Sequence, residues 1–181
     1  MPLGSVICDP SVSGKYPYTL MTNRSNIDFS KLIPDLPTWN NGAGISVEGW
    51  IMCVGTFELA VGYSRLFWPE FVECEGCVFF GEFSVDSYHA FSEQCKGNRR
   101  RIETVMNHRH LFYYFSHAGG SATETQIIYL GRVLKDIWQI KLARDFPGRK
   151  FVVNFSEGPH EGLIEYEVSF WQGSAAEAPG V

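Results

Sequence analysis

The chain has no run of about 18 apolar residues, which excludes a predicted membrane-spanning helix. Its start lacks the basic stretch and apolar block of a secretory leader, so the expected compartment is the cytoplasm. Charge is sparse and leans acidic: 19% of residues are charged, 15 Lys and Arg stand against 20 Asp and Glu, and the net charge is −5. The only basic run is Arg99, Arg100 and Arg101. Three guanidiniums fall short of the repeated phosphate contacts that nucleic-acid binding rests on, so no nucleic-acid partner is expected. A mildly acidic surface suits a basic protein partner instead. Cysteine is scarce and odd in number, at five. That count does not make a complete disulfide framework and fits a reducing compartment.

Catalytic and cofactor signatures are also missing. There is no G-x-S-x-G elbow for a serine nucleophile. Neither a Walker A pattern nor a G-x-G-x-x-G turn occurs, and no cofactor is expected. Gly119-Gly120-Ser121 precedes a strong helix and reads as a loop and cap rather than as an anion cradle.

Aromatics, by contrast, are plentiful: 14 Phe, 8 Tyr and 5 Trp in 181 residues. Each buried ring removes roughly 150–250 Å² from water, so one sizeable core is within reach. The pattern predicts a single α+β domain, a small and mainly antiparallel sheet covered by three to four helices. Residues 1–45 are irregular and Pro-rich, with a short edge strand at Tyr16 to Met21. The core spans 46–172, and 173–181 is a flexible tail.

Within the core, Ser46 caps a helix whose residues Val47, Trp50, Ile51, Val54, Phe57 and Val61 form a buried stripe, ending at Pro69. Phe71 to Phe80 is a bulged strand or a tight hairpin around Glu75-Gly76. Ser84 to Cys95 is a short helix closed by Gly97-Asn98, and Arg100 to Phe115 is a longer one. Thr123 and Gln126 form a capping box for the best-defined helix, whose apolar stripe is Ile127, Leu130, Leu134, Ile137, Trp138 and Leu142. The pattern then switches to period two. Phe151, Val153 and Phe155 alternate on one strand, and Ile164, Tyr166, Val168 and Phe170 on the next, with Glu165 and Glu167 on its outer face.

Three constellations are candidates for chemistry. Cys74-Glu75-Gly76-Cys77 has the spacing of half a zinc site or of a redox pair, but a strand or hairpin supplies neither the other ligands nor a helix N-terminus that would lower a thiol pKa. Cys8, Cys53 and Cys95 stand alone in sequence. Two histidines two apart can share a metal when they lie on a strand; on the helix expected here, His108 and His110 diverge and cannot share an ion. Glu103, Asn107 and His110 then line one face, and His110 with Glu103 or Asn107 is the alternative catalytic set of a small hydrolase or transferase. Finally, Leu111 to Phe115 is five large residues in a row. A one-sided helix cannot bury them all, so Tyr113 and Tyr114 are candidates for a binding surface, together with Trp68 and Trp171.

Several stretches taken together show a resemblance. They are Leu66-Phe67-Trp68-Pro69 with Phe71-Val72-Glu73, then Asn107-His108, then Tyr129-Leu130-Gly131 leading to Trp138, Lys141-Leu142 and Asp145-Phe146-Pro147, and last Phe170-Trp171-Gln172. The set is similar to an uncharacterised family of small bacterial proteins, over roughly residues 46–172. That resemblance implies a bacterial cytosolic protein of one domain and brings no catalytic residues. Size, acidity and aromatic content also resemble the immunity proteins that neutralise bacterial toxins. The expected function is therefore non-enzymatic protein binding, as an immunity-type neutraliser or an accessory subunit of a defence system. Trp68, Tyr113, Tyr114 and Trp171 would be the anchors, and Glu165 and Glu167 the rim that steers a basic partner.

Overall fold

The computed structural model describes residues 27–115 and 122–173. The expected strand at Tyr16–Met21, the Gly119-Gly120-Ser121 loop, Cys8 and the tail beyond Gly173 lie outside the described residues. The fold is a single α+β domain. Its elements run α1 (Phe29–Leu32), α2 (Val47–Val54), α3 (Phe57–Phe67), β1 (Phe71–Cys74), β2 (Cys77–Phe80), α4 (Val85–Gln94), α5 (Arg99–Met106), β3 (Arg109–His110), α6 (Leu111–Phe115), α7 (Glu124–Asp145), β4 (Phe151–Phe155) and β5 (Glu167–Gln172). The strands form two antiparallel sheets, a β1–β2 hairpin and a three-stranded sheet in the order β3-β5-β4.

The scaffold is α7 packed on β4 and β5. Thr123 and Gln126 close a capping box at its start, each accepting from the other's backbone N–H. Ile127, Leu134, Trp138 and Leu142 are buried along one face and meet Phe151, Val153, Phe155, Val168 and Phe170 in the main core. Gly131 sits where α7 crosses β4, and a Cβ there would lie 2.2 Å from the Phe155 ring. The segment around α1 packs against the start of the same helix. Leu32 and Leu36 are buried, Gln126 donates to the Leu32 carbonyl, and the Phe29 and Tyr129 rings meet edge to face.

The β1–β2 segment resolves to the tight hairpin. Cys74 pairs with Cys77 across Glu75-Gly76, whose φ values of +50° and +75° make the two-residue turn that right-twisted strands prefer. A second cluster joins Phe79, Tyr88 and Ile102 to Cys77, with Cys74, Cys95 and Met106 against it.

Two expected helices are broken, for identifiable reasons. The 46–68 helix divides at Gly55-Thr56. Gly55 ends α2, where an added Cβ would press on the Ile51 carbonyl at 2.6 Å, and Thr56 caps α3 by accepting from Leu59 N–H. The 100–115 helix stops at Met106, where Asn107 takes a non-helical conformation. Arg109 and His110 then pair with Val168 and Glu167 of β5 before α6 begins. The strand expected from Ile164 starts later, at Glu167; residues Leu163–Glu165 form a 3₁₀ turn that leaves Ile164 exposed.

Candidate functional site

Glu103 and Asn107 lie four residues apart on one face of α5, as the helical spacing requires, and both are wholly buried. Glu103 accepts from Val78 N–H at 2.8 Å, Gln172 N–H at 2.7 Å and the Gln172 side chain at 2.6 Å. Asn107 donates to the carbonyls of Val78, at 2.8 Å, and Phe170, at 3.4 Å. Both polar groups of the Val78 backbone are thus satisfied by side chains where another strand would otherwise pair. These two residues join the hairpin to β5 and stand in for a missing strand.

His110 is elsewhere. Its Nδ1 contacts the Ile164 carbonyl at 2.7 Å and lies 4.0 Å from the Glu167 carboxylate. The alternative catalytic set of His110, Glu103 and Asn107 assumed one continuous helix, and the break at Asn107 separates it. Instead, His110 is brought against His108, with ring centroids 5.3 Å apart, and against Tyr113 at 5.6 Å. The sequence offers this pairing only if the segment is a strand, and the 3.6-residue period expected for it points the two rings apart.

The cysteine pair flanks the hairpin turn. Burial, reinforced by the Glu103 charge, pushes the Cys77 thiol up to about 11. A thiol held protonated in this way is a poor nucleophile and a poor ligand. Among the described residues no group of three or more His, Cys, Asp and Glu is placed to hold a metal ion.

The expected binding anchors are dispersed. Trp68 carries the charges of Lys141 and Arg144 over its ring, at 5.5 and 5.6 Å. Trp171 carries Arg100 over its ring at 5.1 Å. Tyr113 stands exposed beside His110, while Tyr114 lines a cleft of about 350 Å³ between α3, the hairpin and α6. In that cleft burial raises the Tyr114 pKa, against the pull of Arg109. Arg109 lies 4.3 Å over the Phe80 ring and donates to the Met106 and His108 carbonyls. Arg65 faces Glu70 and Glu82 at 3.6 and 3.5 Å, so both guanidiniums of the cleft are already engaged. Of the expected rim, Glu165 pairs with His160 at 3.4 Å, and Glu167 faces His110.

The large apolar surface lies on α2 and α3. Every residue from 51 to 65 is exposed. Phe57 is 89% exposed, Met52 84% and Val61 67%, with Ile51, Val54 and Leu59 also open. From Ile51 to Val61 the stripe that periodicity assigned to the core therefore faces solvent, while Val47 and Trp50 at its start are half-buried. The reason is visible at the end of α3. Only Leu66 and Phe67 reach the main core, and Trp138 donates its indole N–H to the Leu66 carbonyl at 2.9 Å. Among the described residues α3 is held at that end and through Tyr63, whose ring meets Phe115 of α6 at 5.8 Å, while the face that carries Met52, Phe57 and Val61 is left open. Periodicity reports that a face is apolar, not what meets it, and so could not place this surface.

No protein-family model matches the sequence, and neither the curated proteins nor the solved structures include one significantly similar to it. Among the described residues no helix is long and apolar enough to cross a membrane.

Proposed function

We propose that this protein is a non-enzymatic protein-binding module and that α2 and α3 are its contact surface. The observation that carries this reading is the uninterrupted exposure of residues 51–65, a stretch whose only charged residues are Glu58 and Arg65. An apolar surface of this kind marks an interaction site. Helices of 8 and 11 residues with no buried side chain gain little from their own hydrogen bonds in water. A partner that covers them supplies the missing packing.

The surroundings favour a protein with an apolar groove and a basic border. Exposed Glu48, Glu58, Glu70 and Glu82 flank the two helices. Carboxylates there steer a basic partner and disfavour an anionic lipid surface, whose usual ligands are helices with Lys and Arg on the polar face. In this role the chain acts by occupying its partner, as an immunity-type neutraliser or an accessory subunit of a bacterial defence system does.

The test places a photo-crosslinking residue at Phe57 and, as a control, at exposed Glu161 in the producing cell. The expected result is a discrete crosslinked protein from position 57 alone, abolished by Val61→Asp. Sedimentation of the purified protein with phosphatidylcholine and phosphatidylserine vesicles should leave it in the supernatant. Vesicle binding through Phe57, or the same crosslinks from both positions, would overturn the reading.

A further inference from the structure

Between α5 and α6 the chain is extended, and that short stretch brings two imidazoles together. Alternate residues of an extended chain point to the same side. The His108 and His110 rings accordingly meet with centroids 5.3 Å apart and planes at 84°. One nitrogen of each ring is already in use. His108 Nδ1 lies 2.5 Å from the Val105 carbonyl, and His110 Nδ1 lies 2.7 Å from the Ile164 carbonyl. A carbonyl only accepts, so Nδ1 carries the proton in both rings, and the lone pair of each neutral imidazole is on Nε2. The Glu167 carboxylate, 4.0 Å from His110 Nδ1, favours the same proton placement. An Nδ1–H held by a carbonyl or carboxylate, with Nε2 left to bind, is how proteins orient histidine metal ligands. The spacing agrees: two bonds of roughly 2.0–2.1 Å at a tetrahedral angle set the imidazole centroids about 5 Å apart.

We propose that His108 and His110 form a two-histidine site for a divalent transition-metal ion, held through both Nε2 atoms. Imidazole pairs suit zinc, cobalt, nickel and copper, and do not suit calcium or magnesium, which take oxygen ligands. The described residues add no third His, Cys, Asp or Glu to make a set of three. Water or an exogenous donor then completes the coordination, and the site is open. It does not depend on the binding surface proposed on α2 and α3.

The probe is Co²⁺, added to the purified, untagged protein with its cysteines reduced. Cobalt distinguishes imidazole from thiolate ligation, because only thiolates give an intense ligand-to-metal charge-transfer band. The expected result is one equivalent bound with visible d–d bands and no thiolate band. Affinity should fall at least tenfold in His108→Ala and in His110→Ala and stay unchanged in His89→Ala. Imidazole nitrogen NMR of the metal-free wild-type protein provides a check that needs no variant: both rings should carry their proton on Nδ1. A proton on Nε2 of either ring, full affinity in both alanine variants, or a thiolate band lost in Cys74→Ser would overturn the proposal.

Discussion

Single buried side chains decide how the two sheets of this protein are joined. Glu103 offers its carboxylate to three donors, and two of them are backbone N–H groups with no strand opposite. Removing it orphans those groups, at about 1–3 kcal/mol each. Glu103→Ala should therefore lower the unfolding free energy by about 3 kcal/mol or more, measured by urea denaturation, and Glu103→Gln should lower it less because one acceptor survives. A loss below about 1 kcal/mol for the alanine variant would show that the network contributes little. Glu103 and Asn107 were legible as a polar pair on one helical face. That their partners are Val78, Phe170 and Gln172 was not, because those contacts span up to 69 residues of sequence.

At the scale of elements, close approach and chain breaks matter more than propensity. Gly131 is a mid-helix glycine, and on helix propensity alone Gly131→Ala would gain about 1 kcal/mol. The new Cβ would instead lie 2.2 Å from the Phe155 ring. Overpacking of this kind costs about 1–3 kcal/mol, so the sign reverses and α7 must move off β4. Gly131→Ala should lower the melting temperature by several degrees; an increase would mean that this contact yields easily. The long helix and β4 were readable because their apolar residues keep one period from end to end, whereas the alternation read from Ile164 onward ran past the true start of β5 at Glu167. The breaks at Gly55-Thr56 and at Asn107 were harder to read. Both leave the apolar pattern running across a change of backbone, and the signal present in sequence was only a glycine followed by a capping threonine.

For the whole molecule, the titrating groups set an alkaline limit. Tyr166 donates its hydroxyl to the Glu124 carboxylate, and that bond, with burial, lifts its pKa from 10 to about 12. Burial lifts Cys77 from 9 to about 11. Groups whose pKa is raised on folding stabilise the fold fully below their unfolded pKa and lose that contribution as pH rises through the folded value. Stability should therefore fall from about pH 9 upward, through Cys77 first and Tyr166 between about pH 10 and 12. In thermal melts, Cys77→Ala should flatten the lower part of that decline and Tyr166→Phe the upper part. A decline of unchanged shape in both variants would assign it to other groups.

Local pattern alone determined the α+β class, the capped helix α7 and the alternating strands that become β4 and β5, and it narrowed Phe71–Phe80 to a bulged strand or a hairpin. Each rests on neighbours within a few residues. Tertiary structure decided which apolar face is covered and which is left open. It also turned Glu103 and Asn107 toward the core and brought the two imidazoles together across a strand rather than apart around a helix. The physical reason is common to all three. Periodicity encodes the direction in which a side chain points, whereas burial and pairing depend on what the rest of the chain places there.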